Sequence, residues 1–350
     1  MLNENEIRDL VSQYGTRVHE GRSIQQIITD GDVPRLAGCT VLEGKVSDSV
    51  FADHLISGSG QPLRMMYRNN RISTHDVNRG AIPFKDQVLA SNHDHMLQLV
   101  EPVLGTSQFK VPGLLPSSTV IPAENLQLVA LENVLRLYMA QSSTSTSLYQ
   151  HWLKAKEEGE TILSYAGHEI QVDQIGANGV LPYLMDTPST KDKVDRTIDP
   201  SYLFDNGICT QAQYNQIRNA SLMAFGMISQ YLAAKGMILV DTKTEHGINA
   251  EGRIVAADEL YTMDSSRFWK MDENGQPLTI NGKPVSFSKE FARGMVKEAN
   301  QQFTPEQSNE IAVRYIQGLQ ILTGQVFEPD LRPRDQRIID STNLILDHLL

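Results

Sequence analysis

Met237–Trp269 reads MILVDTKTEHGINAEGRIVAADELYTMDSSRFW. Its first part is an apolar run, Met237–Val240, that gives way to Asp241, Lys243 and Glu245 at i, i+2 and i+4. A β-strand presents those three side chains on one face. Asn249-Ala250-Glu251-Gly252 separates this run from a second one, Arg253–Met263, so the pattern predicts two strands joined as a hairpin. The second strand adds Asp258 and Glu259, with Asp264 and Arg267 expected in its exit turn. Two readings of this charge are open. One is a solvated strand face. The other is a carboxylate pair holding magnesium on the phosphates of a nucleotide, because hard cations take oxygen ligands and charges on a partly buried strand are costly without partners.

Outward from this stretch, the chain alternates helical and strand-like segments without a regular βαβ repeat, which favours an α+β fold over a doubly wound sheet. Ile7, Leu10, Val11 and Tyr14 keep helical spacing in the first thirty residues. Strands are expected over Cys39–Val46 and Ser49–His54 around a Gly44–Lys45 turn, and over Pro62–Tyr67, ahead of a polar segment, Arg68–Asp76. Residues 83–100 read as a helix, Glu101–Pro122 as a proline-rich loop, and Leu126–Met139 as a buried strand. A Ser/Thr-rich segment, Ser142–Ser147, precedes a helix over Leu148–Glu158, and residues 159–200 read as irregular. A long helix spans Thr210–Lys235 and stops at Gly236. Met271–Pro284 is a hydrophilic loop, followed by helices, the last of them amphipathic from Ile338 to Leu350 and suited to closing the fold or meeting another subunit.

The bulk properties exclude several classes. A chain of 350 residues with 40% hydrophobic and 21% charged side chains is ordinarily globular and long enough for two lobes. The net charge of −11, from 42 acidic and 31 basic residues, argues against partners such as nucleic acid or an anionic membrane, while leaving room for a local basic pocket. No apolar stretch reaches the length of a membrane span, and the polar start MLNENEIRDL is no secretory signal. Cys39 and Cys209 lack metal-ligand spacing and read as reduced thiols, consistent with a cytoplasmic protein. His93-Asp94-His95 has no third ligand nearby and reads as solvated or capping histidines.

The 237–269 stretch resembles the SAICAR synthase signature, D-x-K-x-E-[FH]-G followed by D-E-x-x-[ST]-x-D-[SG]-S-R-[FLY]-W. Other segments follow in that family's order. Glu43–Phe51 resembles its G-K-x-[RK]-[DET]-x-[YF] turn, Arg71–Asp76 its R-I-S-A-F-D, Ile82–Leu89 its I-P-G-K-G, and Val129–Ser143 its V-P-[VL]-E-x-[VI]-V-R-G-Y-L-x-G-S. Thr187–Lys191, Ser286–Arg293 and Leu322–Gly324 also match, so the resemblance covers about residues 38–330. It implies a two-lobed α+β fold related to ATP-grasp enzymes, with the nucleotide between the lobes. The implied divisions are an N-terminal helical extension, 1–35; an ATP-binding lobe, 36–127; a central lobe with the metal and ribonucleotide site, 128–270; and a C-terminal helical region, 271–350.

The implied activity is ATP- and Mg2+-dependent ligation of L-aspartate to carboxyaminoimidazole ribonucleotide (CAIR), giving SAICAR in purine synthesis, by a homo-oligomer that is commonly a dimer. By the resemblance, Glu245 and Asp258 hold the metal and ATP, Gly44 and Lys45 face the ATP phosphates, and Glu132 lies in the hinge near the adenine. Asp241, Lys243 and Asp264 line the reaction centre. Arg136, Ser142 and Arg267 take the ribonucleotide phosphate, with Asp76 and Lys85 positioning substrate. Guanidinium forks suit that task because they match phosphate oxygens bidentately.

Departures fall on loops. Ser47 stands where the phosphate turn has a second basic residue, Phe84 and Asp86 stand where Lys85 has flanking glycines, and Leu137–Ser142 lacks both glycines of its loop. The H-D-E-N-I pattern has become Val194-Asp195-Arg196-Thr197-Ile198. These changes motivate two alternatives: a paralogous ligase using another amino acid or nucleotide-like acid, and a weakly catalytic nucleotide-binding regulator.

Overall fold

Asn3 opens the first helix, Glu4–His19, with a reciprocal cap: its Oδ1 accepts from the Glu6 amide, and Glu6 Oε2 accepts from the Asn3 amide at 2.7 Å. A second short helix, Ile24–Thr29, is capped in the same way by Ser23 and Gln26, so the helical start expected from periodicity is present. The computed structural model describes residues 1–350 except Ser59, Asp76, Ser145, Lys193 and Val194. Two units result, one formed by Met1–His95, Ser107–Leu126 and Phe287–Leu350, the other by Met96–Thr106 and Gln127–Ser286.

In the first unit the strands Thr40–Leu42, Ser47–Ile56, Pro62–Arg68 and Val120–Glu124 form an antiparallel sheet in that order. Alternation along them turns Val50, Ala52, Leu63, Met65 and Tyr67 inward. They meet Ile24 and Ile27 from the short helix and Ile338, Ile345 and Leu346 from the C-terminal helix, Arg334–Leu349. Each such aliphatic side chain contributes about 1.5–3 kcal/mol by leaving water. The amphipathic tail therefore does pack as a closing helix. The polar segment after residue 68 contains one further strand, Arg71–Thr74, paired with Val77–Ala81.

In the second unit the strands Val180–Asp186, Leu131–Tyr138, Met237–Thr244 and Ser266–Lys270 form an antiparallel sheet, with Ser189–Thr190 also pairing to Leu131–Tyr138. The helix Gln211–Ala233, capped by Thr210 and Gln213, packs on the Leu131 and Met237 strands and buries Ile217, Phe225 and Ile228. Gly236 follows it with φ +68, the left-handed stop that the sequence suggested. Among the described residues no helix is long and apolar enough to cross a membrane.

Three expectations about local structure need correction. The hairpin is only a short one, His246–Ile248 against Ile254–Ala256, and Asp258–Ser265 has no strand pairing. The Met237–Thr244 strand pairs instead with Leu131–Tyr138 and Ser266–Lys270, so Arg267 lies in a strand and not in an exit turn. Residues 159–200 are not irregular: Ile162–Tyr165 pairs with His168–Gln171, and Val180–Asp186 joins the main sheet. The first two are only four residues long and bury only Leu163, Tyr165 and Ile170, too short an alternation to stand out in the sequence.

Candidate active site

The register of the second sheet builds the site. Arg136 stands opposite Asp241, and Asp241 opposite Arg267, so an Arg–Asp–Arg row crosses three strands on one face. Arg267 Nε donates to Asp241 Oδ1 at 2.9 Å and Oδ2 at 3.0 Å, its Nη2 also bonds Oδ2, and Arg136 Nη1 lies 3.5 Å from Oδ2. Arg136 is in turn fixed by Thr187, whose Oγ1 accepts from Arg136 Nε at 2.9 Å and whose amide donates to Val134 O at 2.8 Å. Arg267 Nη1 donates to Gln141 O at 3.2 Å, beside Ser142, in the loop after the Arg136 strand.

Farther along the same face comes a second group. Lys243 Nζ donates to Glu132 Oε1 at 2.8 Å and to Glu245 Oε1 at 2.9 Å, and Lys191 pairs with the other oxygen of Glu245. Asp258 is near enough to oppose the ionisation of Glu245. The i, i+2, i+4 reading of Asp241, Lys243 and Glu245 is thus correct as geometry. A solvated face is ruled out, since Asp241 and Glu245 are 7% and 8% exposed.

Electrostatics fixes the protonation states. Burial works against the charge on Lys243, but Glu245 and Glu132 outweigh it and raise its pKa, so it stays an ammonium and is no base. Burial raises Glu245 and Asp258 adds to that, yet Lys243 and Lys191 prevail and hold its carboxyl below the usual range. Among the described residues no group of three or more His, Cys, Asp or Glu is arranged to hold a metal ion by itself. His93 also departs from expectation: it is buried, neither solvated nor capping, with its Nε2 2.5 Å from the Gln108 amide nitrogen.

The SAICAR synthetase family matches residues 41–310. The chain belongs to that family. A phosphoribosylaminoimidazole-succinocarboxamide synthase of Legionella pneumophila is 30% identical over 301 residues, covering 83% of this chain and 90% of that one. The solved SAICAR synthase of Saccharomyces cerevisiae complexed with SAICAR is similar in fold, with a TM-score of 0.67 at 20% identity over 83% of this chain and 96% of its own. A SAICAR synthetase in complex with ADP gives a TM-score of 0.59 at 21% identity, covering 83% of this chain and 100% of that one.

Within this member of the family, the residues expected to act together fall as follows. Asp241, Lys243, Glu245, Glu132, Arg136 and Arg267 share the face just described, with Asp258 beside Glu245. Asp264 sits in the turn before the Arg267 strand, its amide donating to Thr262 Oγ1 at 3.3 Å. Glu259 is taken up locally, accepting from Thr262 Oγ1 at 2.7 Å. Gly44, Lys45 and Lys85 lie in the first unit. A Cβ on Gly44 would meet Ser47 O at 2.3 Å, so only glycine fits there. Its amide donates to Asp48 Oδ1 at 3.2 Å and its carbonyl accepts from Arg71 at 2.7 Å. Ser47, the departure in this turn, accepts from the buried Arg68 at 2.8 Å, which brings a guanidinium to the turn. Asp76 lies outside the described residues.

Sequence reasoning left three partners without a role: Lys191, Thr187 and the Gln141 carbonyl. The first two carried a signal, since both belong to the Thr187–Lys191 stretch that matches the family. The third is a backbone group, which no residue identity announces.

Proposed function

We infer that this chain is an ATP-dependent carbon–nitrogen ligase that joins the carboxylate of CAIR to the amine of L-aspartate, giving SAICAR, ADP and phosphate. The observation that carries it is the shared strand face on which the Arg136–Asp241–Arg267 row adjoins the Glu132–Lys243–Glu245–Lys191 group, in a chain of the SAICAR synthetase family.

A carboxylate is a poor acyl donor because an oxide is a poor leaving group. Transfer of the γ-phosphoryl of ATP to a carboxylate oxygen gives an acyl phosphate and ADP. The amine of aspartate then attacks the carbonyl carbon, the C–N bond forms, the C–O bond to phosphate breaks, and the amine gives up a proton. Positioning and charge neutralisation are what the protein must supply. Lys243, held as an ammonium, suits the negative charge that builds on the acyl phosphate. Arg136 and Arg267 suit the ribonucleotide phosphate, with Ser142 beside them, and Asp241 sets the direction of both guanidinium groups. Asp264 is assigned to placing the imidazole.

The donor set fits magnesium. Glu245 is held ionised with Asp258 close by, and two carboxylate ligands completed by phosphate oxygens and water are what Mg2+ takes. Glu245 and Asp258 would hold the ion, whose contribution when bound is to neutralise phosphate charge. Gly44, Lys45 and Glu132 are assigned to ATP, and Lys85 and Asp76 to substrate placement. We place the enzyme in the cytoplasm as a homo-oligomer, commonly a dimer in this family.

The test is direct. The purified chain with CAIR, L-aspartate, ATP and Mg2+ should release ADP and form a product of SAICAR mass. Turnover with another amino acid but not aspartate would transfer the assignment to a paralogous ligase. ADP release with none of a panel of amines and acids would remove the ligase reading.

A further inference from the structure

We propose that the terminal segments outside the family-matched residues 41–310 form a brace for the Lys85 segment, with Arg337 as a positioning residue that acts on Lys85 through Asp86. The proposal rests on the reading above that Lys85 serves substrate placement.

Three side chains around Lys85 are each held by the C-terminal segment. Phe84 meets Phe327 edge to face, with ring centroids 5.8 Å apart. Asp86 Oδ2 accepts from Arg337 Nη2 at 2.8 Å, both side chains being 0% exposed. Gln87 exchanges two hydrogen bonds with the Asp330 backbone, donating to its carbonyl at 3.0 Å and accepting from its amide at 2.8 Å. Lys85, between them, is itself 0% exposed. Arg337 also ties in the N-terminal helix, donating to Val18 O at 3.2 Å, and the segment before the fourth strand, donating to Ser117 O at 3.0 Å and Thr119 Oγ1 at 3.1 Å.

The backbone shows why a brace is needed. Phe84 has φ +61, a region that aromatic residues rarely enter and that persists only where the surroundings over-determine it. Glycines at 84 and 86 would accept that turn without help. With Phe84 and Asp86 in place, the contacts to Phe327 and Arg337 are what select the one backbone path that starts the helix Lys85–Leu104. Buried ion pairs are a poor source of net stability, and in some proteins they serve to fix a conformation instead, which suits a positioning role.

The test is a cycle on the full-length enzyme. Arg337→Gln should lower kcat/KM for the ribonucleotide by ~10–100-fold, the scale of a misplaced side chain, with Arg337→Lys recovering part of it. Combined with Lys85→Ala, Arg337→Gln should change kcat/KM by less than about threefold further, because residues acting as one unit are not additive. Hydrogen exchange at the amides of residues 84–88 should rise in Arg337→Gln. A full-sized additional loss in the Lys85→Ala background, or no loss in Arg337→Gln alone, overturns the positioning proposal while leaving Lys85 in the site. If Lys85→Ala itself leaves turnover intact, the reading of Lys85 falls and the proposal with it. If Arg337→Gln does not fold, Phe327→Leu, which removes the ring contact alone, carries the same cycle with the same two outcomes.

Discussion

Asp241 and Arg267 face each other across adjacent antiparallel strands, with Arg267 Nε 2.9 Å and 3.0 Å from the two carboxylate oxygens, and Arg136 approaches the same carboxylate from the opposite strand. One acid thus orients two guanidinium groups. The expected consequence is that Asp241→Asn preserves the fold but lets both arginines drift. KM for the ribonucleotide should rise by ~30-fold or more, since losing one member of a buried hydrogen-bonded charge pair costs about 2–5 kcal/mol, with a smaller change in KM for ATP. Equal effects on both substrates would show that Asp241 does not act through the arginines.

Glu245 is flanked by Lys243 and Lys191 and repelled by Asp258. In the assigned role, Glu245→Gln and Asp258→Asn each remove a metal ligand. The Mg2+ concentration for half-maximal ADP release should rise by at least ~10-fold in either variant, and chelation should abolish turnover in the parent enzyme. An unchanged Mg2+ dependence in Asp258→Asn would remove that residue from the metal site.

Thr187 offers a finer probe. Its Oγ1 accepts from Arg136 Nε at 2.9 Å and it is 1% exposed, so Thr187→Val keeps shape while removing that bond to a charged group and the longer one its hydroxyl donates to Val134 O at 3.2 Å. A bond to a charged group is worth about 1.5–3 kcal/mol. A rise in ribonucleotide KM of ~10-fold or more, with melting temperature nearly unchanged, is expected. A large drop in melting temperature with normal KM would assign Thr187 to the fold alone.

Much of this site was legible in the sequence because strand alternation alone puts Asp241, Lys243 and Glu245 on one face. The partners were not, for a physical reason: register between distant strands decides them. Asp241 is 105 residues from Arg136 and Lys243 is 111 from Glu132 along the chain, and no local pattern encodes which strands pair. The short turn at Asn249–Gly252 invited one long hairpin, yet the ladder ends at Ala256 and the Met237 strand finds other neighbours. Likewise Phe84 and Asp86 read as losses of glycine until Phe327 and Arg337 supplied their partners.

His246 yields a pH prediction. It is buried opposite Ala256, with no protein partner for either ring nitrogen among the described residues. Burial, only partly opposed by Glu245, lowers its pKa from 6.5 to about 4. Below pH 6.5 the unfolded chain takes up a proton that the folded chain refuses until about pH 4, so stability falls on acidification across that window and is fully present above it. The loss amounts to about 3 kcal/mol, at 1.36 kcal/mol per pKa unit. His246→Phe, an aromatic ring of similar breadth, removes both the titration and the unpaired nitrogens. The variant should melt higher at neutral pH, by the part of ~1–3 kcal/mol that an unsatisfied buried polar group costs, and its advantage should grow steadily from pH 6.5 towards pH 4. Melting curves for the two proteins at matched pH check this. Parallel pH profiles would mean that His246 keeps an ordinary pKa through a partner gained in solution.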